Sequence, residues 1–210
     1  MQTLIFLNGN IPKLKVIKEH LKKASFIVAA DGGANHLRKI GIIPDLIIGD
    51  LDSVNKGSLK YFAKHKTLIK KVKDQNKTDF EKSLIYCLSK SKKSITVFGA
   101  VSLRADHTLN NYSVLKRYYK KSDIRIITDE FEIFFIKKSF KFSYRTGEVV
   151  SLLALPIAGG IRTSGLEYPL NEESLEFGKR EGALNISVSD KITISFKTGN
   201  LLLFKKHFIK

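Results

Sequence analysis

Short β-rich runs alternate with helical patterns up to about residue 129, and this alternation limits the possible folds more than any other feature of the chain. The runs cover residues 4–7, 26–30, 46–48, 68–72, 95–98 and 124–127, and the helical patterns cover residues 12–24, 33–40, 58–65, the segment after 78 and 106–121. A repeated strand, helix, strand order predicts an α/β fold with a doubly wound, mostly parallel sheet. Ligands of such sheets bind at the carboxyl ends of the strands, so functional residues are expected directly after each run.

The pattern changes after Asp129 to short runs without helices between them. These runs cover residues 131–136, 140–144, 149–155, 184–189, 192–196 and 201–204, with a turn expected at 198–200. Regularly spaced short strands predict a smaller all-β sandwich or barrel-like domain. We therefore expect an α/β domain over residues 1–129 and a β-sandwich domain over residues 130–210, closely packed because no linker separates them.

The composition is that of a folded protein of the cytoplasm. Of the 210 residues, 43% are hydrophobic and 27% are charged, which is too much apolar material for a disordered chain. The single cysteine, Cys87, has no partner for a disulfide, as is usual in the reducing cytosol. The start of the chain lacks the basic segment of a signal peptide, and the longest apolar stretch, residues 149–161, is too short to span a membrane. We expect neither secretion nor membrane insertion.

The net charge of +17 raises the question of a nucleic-acid partner. Pairs of lysines are dispersed along the chain and are not collected in one arm or stripe. This dispersion favours a solvated, lysine-rich surface whose field attracts anions such as nucleotide phosphates, and we expect no specific nucleic-acid partner. A nucleic-acid-binding protein stays open as an alternative, and its affinity should fall steeply with salt.

Two polar clusters follow the second and third runs. The first contains Asp31, Gly32 and Gly33, where glycines would let the backbone approach a phosphate, although a plain tight turn is the better explanation of this segment taken alone. The second contains Asp50 and Asp52, whose side chains lie on one face if the chain is extended and would suit Mg²⁺. Turn formation and helix capping are the alternative explanation for these two aspartates.

Two further clusters open helices. Thr78 and Glu81 have the spacing of a capping box, which leaves Asp79 and Lys82 on a separate face of the same helix. Arg104 lies after the fifth run, close to Asp106 and His107, and its guanidinium could bind a phosphate. If Asp50, Asp52 and Asp79 converge within about 5 Å, each pair repels by roughly 3 kcal/mol at an effective dielectric constant of about 20. Mg²⁺ flanked by Arg104 and Lys82 would relieve this repulsion and bind a polyphosphate.

Taken in order, these segments resemble the motif series of the thiamine pyrophosphokinase family. The segments are Asp31-Gly-Gly-Ala-Asn, Pro44-Asp-x-x-x-Gly-Asp50-x-Asp52-Ser, Asp74-Gln75-x-x-Thr78-Asp79-Phe-x-Lys82 and Gly99-Ala-x-x-x-Arg104-x-Asp106-His107-Thr. The resemblance continues in Thr163-Ser-Gly165-Leu166-x-Tyr168-x-Leu170 and at Asn185, so it covers nearly the whole chain.

The resemblance implies a homodimeric enzyme that transfers a pyrophosphoryl group from MgATP to the hydroxyl of thiamine and releases AMP. It implies Mg²⁺ ligands at Asp50, Asp52 and Asp79. It implies nucleotide and phosphate contacts at Asp31, Gly32, Gly33, Lys82, Arg104, Asp106 and His107, and thiamine contacts at Gln75, Thr78, Tyr168 and Asn185. Asp79, Lys82, Arg104 and Asp106 would be the catalytic group, with Asp106 orienting the hydroxyl or accepting its proton.

Two positions depart from the family pattern. Ser102-Leu103 stands where the family usually has Gly-Gly, and Leu184 stands where it usually has Ser before Asn185. A leucine cannot hydrogen-bond a substrate ring, so a related pyrophosphokinase with another hydroxymethyl acceptor, such as a pterin, stays open as a second alternative.

Overall fold

The computed structural model describes residues 2–209 of the chain. It divides into two compact units, one reaching to Glu130 and including Ile209, and one formed by Phe131–Phe208. The domain boundary that the sequence predicts lies between residues 129 and 130.

The first unit is an α/β layer structure. Its elements are β1 (Gln2–Phe6), α1 (Leu14–Leu21), β2 (Ala24–Ala30), α2 (Gly33–Lys39), β3 (Leu46–Gly49), α3 (Lys56–Lys64), β4 (Leu68–Lys71), α4 (Asp79–Ser89), β5 (Ser94–Phe98), α5 (Ala105–Tyr118) and β6 (Asp123–Ile127). The strand order is β4-β3-β2-β1-β5-β6, and every neighbouring pair is parallel. The chain reverses its direction of travel across the sheet at β1, and such a switch point is where parallel sheets bind ligands.

Burial explains why these segments form strands and helices. The central strands are apolar on both faces, and Leu4, Phe6, Ile47 and Phe98 are almost fully buried. Short amphipathic helices cover the sheet, as α1 does by burying Val16 and Ile17. No helix within residues 2–209 has the length and apolar content that crossing a membrane requires.

The second unit consists of strands. Its elements are β7 (Phe131–Ile136), β8 (Ser139–Ser143), β9 (Val149–Ser164), β10 (Asn171–Glu176), β11 (Gly182–Ile186), β12 (Lys191–Ser195) and β13 (Thr198–Lys206). The long strand β9 pairs antiparallel with β10, β11, β12 and β13 along its length. Its alternate residues enter a core that includes Leu152, Ala158 and Ile161.

Two expectations for this unit are wrong in detail, and one strand was not expected. The turn expected at residues 198–200 is the beginning of β13, where the pairing with β9 shifts register between Gly199 and Leu201. The run expected to end at residue 155 continues as β9 through Pro156 and the two glycines at 159 and 160. β10 was not expected, because its sequence is polar and it buries only Leu175 fully.

Candidate active site

A cavity of about 850 Å³ opens at the carboxyl ends of β1, β2, β3 and β5. The predicted site residues that line it are Asp31, Asp50, Gln75, Thr78, Asp79, Lys82, Arg104 and His107. Further polar residues line it without having been predicted, namely Asn8, Asn10, Ser53, Asn76, Lys77, Asn110, Asn111 and Arg117. The structure therefore brings most of the predicted residues of the first unit to one cavity.

Three aspartates meet inside this cavity. One carboxylate oxygen from each of Asp31, Asp50 and Asp79 lies within 4.8 Å of the other two. The pairing of β2 with β3 explains the approach, because Ala30 lies opposite Ile48 and the Asp31 N–H donates to the Ile48 carbonyl at 2.9 Å. Asp79 joins them from the first residue of α4.

The environment of Asp31 disfavours its negative charge. The side chain is 4% exposed, and its Oδ1 atom is buried with no hydrogen-bond partner among the described residues. Burial, with added repulsion from Asp79 and Asp52, raises the pKa of the Asp31 carboxyl, although hydrogen bonding to Ser53 opposes the increase. A cation among the three carboxylates would relieve this desolvation and repulsion.

Lys82 supplies one such positive charge. Its ammonium donates to Asp79 Oδ1 at 2.9 Å and lies 3.8 Å from Asp50 Oδ2, and its side chain is only 3% exposed. One ammonium faces three carboxylates, so the cluster keeps an excess of negative charge whenever all three are ionised. Hard carboxylate oxygens, one of them unpartnered, fit a small divalent cation such as Mg²⁺.

Asp52 lies outside this group of three. The expectation that Asp50 and Asp52 share a face fails because Leu51 adopts a left-handed conformation, with φ of 66°, and the chain is not extended there. Asp52 is exposed and accepts a hydrogen bond from the Ser53 hydroxyl at 2.9 Å. That contact contributes most to a lowered pKa of the Asp52 carboxyl.

Gly49 makes the approach of the carboxylates possible. A Cβ atom at this position would lie 2.8 Å from Asp31 Cβ and 3.0 Å from Asp79 Oδ1. Gly32 and Gly33, which we expected beside a phosphate, do not line the cavity. A Cβ on Gly33 would lie 2.0 Å from the Phe6 carbonyl oxygen, and one on Gly32 would lie 2.4 Å from the Asn8 side chain, so both glycines permit close packing against the end of β1.

Most of the start of α4 is buried, from Phe80 to Leu84. Thr78 caps the helix, with its hydroxyl accepting from the Glu81 N–H at 3.3 Å, as predicted. The Glu81 side chain does not return to Thr78 as a full capping box requires. Glu81 instead accepts a hydrogen bond from the Tyr118 hydroxyl at 2.8 Å and pairs with Arg117 at 3.0 Å.

Arg104 and Asp106 form an exposed ion pair at the start of α5. The guanidinium donates to both carboxylate oxygens, through Nε at 3.2 Å and through Nη2 at 2.6 Å. This contact lowers the pKa of the Asp106 carboxyl to about 2, so the group stays ionised at neutral pH. Arg104 and His107 line the cavity, and the preceding Leu103 is 95% exposed at its edge.

The second unit contains a separate cavity of about 210 Å³ that includes Tyr168 and Asn185. Asn185 holds the backbone of Tyr168 from both sides, since its Oδ1 accepts from Tyr168 N–H at 3.1 Å and its Nδ2 donates to the Tyr168 carbonyl at 2.7 Å. The Tyr168 side chain is 67% exposed. Leu184 beside Asn185 is 76% exposed and has a left-handed φ of 59°.

Asn8, Gly9 and Asn10 were missed, although a signal for them exists. They follow β1 directly, and the rule that placed Asp31 and Asp50 at strand ends applies to them equally. Gly9 and Asn10 continue the pairing beyond the strand, with their N–H groups donating to Gly99 and Val101 at 3.0 and 2.8 Å. Asn110, Asn111 and Arg117 gave no comparable signal, since they lie inside a helix.

Two family models match the chain. Residues 17–128 match the thiamin pyrophosphokinase catalytic domain, and residues 135–201 match the thiamin pyrophosphokinase vitamin B1 binding domain. Thiamin pyrophosphokinase 1 of Caenorhabditis elegans is 29% identical, over 95% of this chain and 86% of that protein. Thiamine pyrophosphokinase 1 of Arabidopsis thaliana is 27% identical, over 91% of this chain and 81% of that protein.

Solved structures have the same fold. The thiamine pyrophosphokinase of Bacillus subtilis superposes with a TM-score of 0.86 at 22% identity, covering 98% of this chain and 99% of that one. The thiamin pyrophosphokinase of Candida albicans superposes with a TM-score of 0.85 at 23% identity, covering 98% of this chain and 88% of that one. The family models span both units, and by them the chain belongs to the thiamin pyrophosphokinase family.

Proposed function

We propose that this chain transfers a pyrophosphoryl group from MgATP to the hydroxyl of thiamine, giving thiamine diphosphate and AMP. The observation that supports this most is the meeting of Asp31, Asp50 and Asp79 in one cavity at the switch point of the sheet. The family models favour this activity over a pterin acceptor and over nucleic-acid binding. The cavity also has the polar lining that a triphosphate needs.

Asp31, Asp50 and Asp79 are the residues we propose to hold Mg²⁺, with Asp52 as the remaining candidate. The unpartnered Oδ1 of Asp31 and the crowding of the three carboxylates support this set. When bound, the ion supplies positive charge that offsets the negative charge developing on the phosphates during transfer.

The other residues of the cavity position the reactants. Lys82 is held between Asp79 and Asp50 and keeps its ammonium at the carboxylate cluster. Arg104 and His107 are the proposed phosphate contacts at the start of α5. Asp106, with a pKa of about 2, is a weak proton acceptor and is better suited to orienting the Arg104 guanidinium. Most of the rate enhancement then comes from alignment and electrostatic stabilisation.

From the family resemblance we propose Gln75, Thr78 and Tyr168 as thiamine contacts. Asn185, whose amide is engaged with the Tyr168 backbone, supports the position of that ring. From the family resemblance we also propose a homodimer, which light scattering after gel filtration would test. A cytoplasmic location is proposed from Cys87, a buried thiol for which the chain offers no disulfide partner.

The decisive experiment identifies the nucleotide product. Purified protein is incubated with Mg²⁺, ATP and thiamine, and the products are separated by chromatography. We expect AMP and thiamine diphosphate in equal amounts. Release of ADP would contradict pyrophosphoryl transfer, and release of AMP only with a hydroxymethyl-pterin would contradict thiamine as the acceptor.

A further inference from the structure

Glu81 is a buried carboxylate to which the proposed reaction assigns no role. It is 4% exposed and lies on α4, two residues after Asp79. Its Oε1 atom accepts from the Tyr118 hydroxyl at 2.8 Å and lies 3.0 Å from Arg117 Nη1, and both partners lie at the end of α5. A buried glutamate is unusual unless it is paired, so this contact requires an explanation.

Arg117 lines the same cavity as the three aspartates. Its side chain is 51% exposed, whereas the side chain of Glu81 is 5% exposed. The ion pair occupies one nitrogen of the guanidinium, which has five N–H donors in a fixed planar arrangement. The remaining donors are available to a molecule in the cavity.

Other cations of the cavity are held differently, and Lys77, for example, pairs with Asp74, whose side chain is 33% exposed. Lys82 is 3% exposed and sits between Asp79 and Asp50. Arg104 pairs with Asp106, whose side chain is 62% exposed, so this pair has no buried anchor. Arg117 alone among these four has a buried partner outside the aspartate cluster. Its guanidinium is therefore oriented before a ligand arrives, which reduces the entropy lost on binding.

We propose that Arg117 binds a phosphate group of the nucleotide in this cavity and that Glu81 is the positioning residue that holds its guanidinium. The identity of the ligand rests on the proposed function. Guanidinium groups bind phosphate oxygens through two parallel N–H donors, and a carboxylate partner keeps the planar group in one orientation. Tyr118 shares the Glu81 oxygen and limits its movement.

The test is the affinity for ATP of Arg117→Gln, measured by calorimetry with Mg²⁺ and without an acceptor. We expect the Kd for ATP to rise about 10-fold or more, because a charge-assisted hydrogen bond to the nucleotide is lost. The KM for ATP should rise in proportion, with kcat and the KM for thiamine unchanged. Lys120→Gln removes the same charge just beyond the end of α5, outside the cavity, and should leave the Kd for ATP unchanged.

Two further variants separate binding from folding. Arg117→Lys keeps the charge and should recover part of the affinity, because an ammonium lacks the planar fork. Glu81→Gln keeps an oxygen for Tyr118 and should raise the KM for ATP by a smaller factor than Arg117→Gln, with kcat unchanged. A lower melting temperature of Arg117→Gln with a wild-type Kd for ATP would overturn the proposal, because the ion pair would then be structural only.

Direct binding also distinguishes this proposal from the proposed function. Wild-type protein that binds ATP but releases no AMP with thiamine would contradict the function, while a weaker Kd in Arg117→Gln would still support the binding role. Wild-type turnover combined with unchanged ATP binding by Arg117→Gln would overturn the binding role alone. Absence of ATP binding by the wild-type protein would contradict both.

Discussion

The cavities of the two units differ in how they are built and in what they contain. The larger one collects charged side chains from strand ends that are far apart in sequence, with Asp31, Asp50 and Asp79 at its centre. The smaller one combines apolar and polar side chains, largely from one stretch of chain after β9. Its lining includes the leucines 152, 166, 170 and 175, Tyr168, Thr163, Arg180, Glu181 and Asn185. We expect charge to determine which ligands bind in the first cavity, and shape to matter more in the second.

This difference separates two tasks of a pyrophosphoryl transfer. Excess negative charge held by a rigid sheet suits a cation and a polyphosphate, whose binding changes little from one acceptor to another. A small, partly apolar pocket with a few polar groups and one backbone-supported aromatic ring suits selection of a particular acceptor. Substitutions of the three clustered aspartates should therefore reduce turnover with any acceptor, whereas substitutions in the second cavity should change the KM for thiamine.

The largest expected effect is that of Asp79→Asn. It should reduce turnover by about 10³-fold, because the carboxylate at the centre of the charged cavity is lost. Stability should change little, since the cap formed by Thr78 is retained. Steady-state kinetics and thermal denaturation measure the two quantities. Asp123→Asn, an exposed carboxylate paired with Arg125, is the control and should stay fully active. If Asp79→Asn is fully active but has a much lower melting temperature, then Asp79 has a structural role and not a catalytic one.

Tyr168→Ala should affect only the acceptor. We expect the KM for thiamine to rise about 10-fold, which corresponds to about 1.4 kcal/mol and is the size of a cation–π or stacking contact. The KM for ATP should stay the same, because the charged cavity is untouched. Phe177→Ala removes another exposed aromatic ring, outside the small cavity, and is the matched control. An equal rise of both KM values would remove the distinction between the two cavities.

Leu184→Ser should lower the KM for thiamine, by a smaller factor than Tyr168→Ala raises it. A hydroxyl next to Asn185 offers a hydrogen bond to the acceptor, and we expect the KM for thiamine to fall about 3-fold. The comparison variant is Val188→Ser, which adds a hydroxyl at another exposed aliphatic position of the same unit. An unchanged or higher KM for thiamine would count against thiamine as the acceptor.

Asp31→Asn should raise the stability of the metal-free protein, and it should weaken the binding of Mg²⁺. The pKa of Asp31 is raised in the folded state, so its contribution to stability is present below the unfolded pKa and is lost as the pH rises through the folded pKa. At pH 7 without metal, the variant should therefore melt at a higher temperature than the wild-type protein. The difference should vanish below about pH 4.

Asp52→Asn is the control for this prediction. The pKa of Asp52 is lowered, so removing its charge should not raise the melting temperature. Titration of each variant with Mg²⁺, followed by thermal denaturation, shows whether Asp31 or Asp52 binds the ion together with Asp50 and Asp79. If Mg²⁺ no longer stabilises Asp52→Asn but still stabilises Asp31→Asn, then Asp52 and not Asp31 is the Mg²⁺ ligand.

The parallel sheet could be predicted because apolar runs and amphipathic segments are local signals. The cluster could be predicted only in part. Asp31 and Asp50 each lie at a recognisable strand end, but their contact depends on the register of Ala30 against Ile48, which no local pattern reveals. Asp52 was placed with Asp50 on the assumption of extended backbone, and the left-handed Leu51 reverses that placement.

The second unit was harder to predict for a different reason. β10 has the sequence Asn-Glu-Glu-Ser-Leu-Glu, and its place in the sheet depends on pairing with β9 and not on its own hydrophobicity. Pro156 and the following glycines suggest the end of a strand, yet β9 continues because several neighbours pair with it. Tertiary pairing overrides local preference at such positions.

Gly49 has no side chain, and this allows the carboxylates of Asp31 and Asp79 to approach each other beside it. Every other amino acid would place a carbon atom where Asp31 and Asp79 now come together. The close approach of these two carboxylates, and with it the site that we propose for a cation, therefore depends on the absence of a side chain at Gly49.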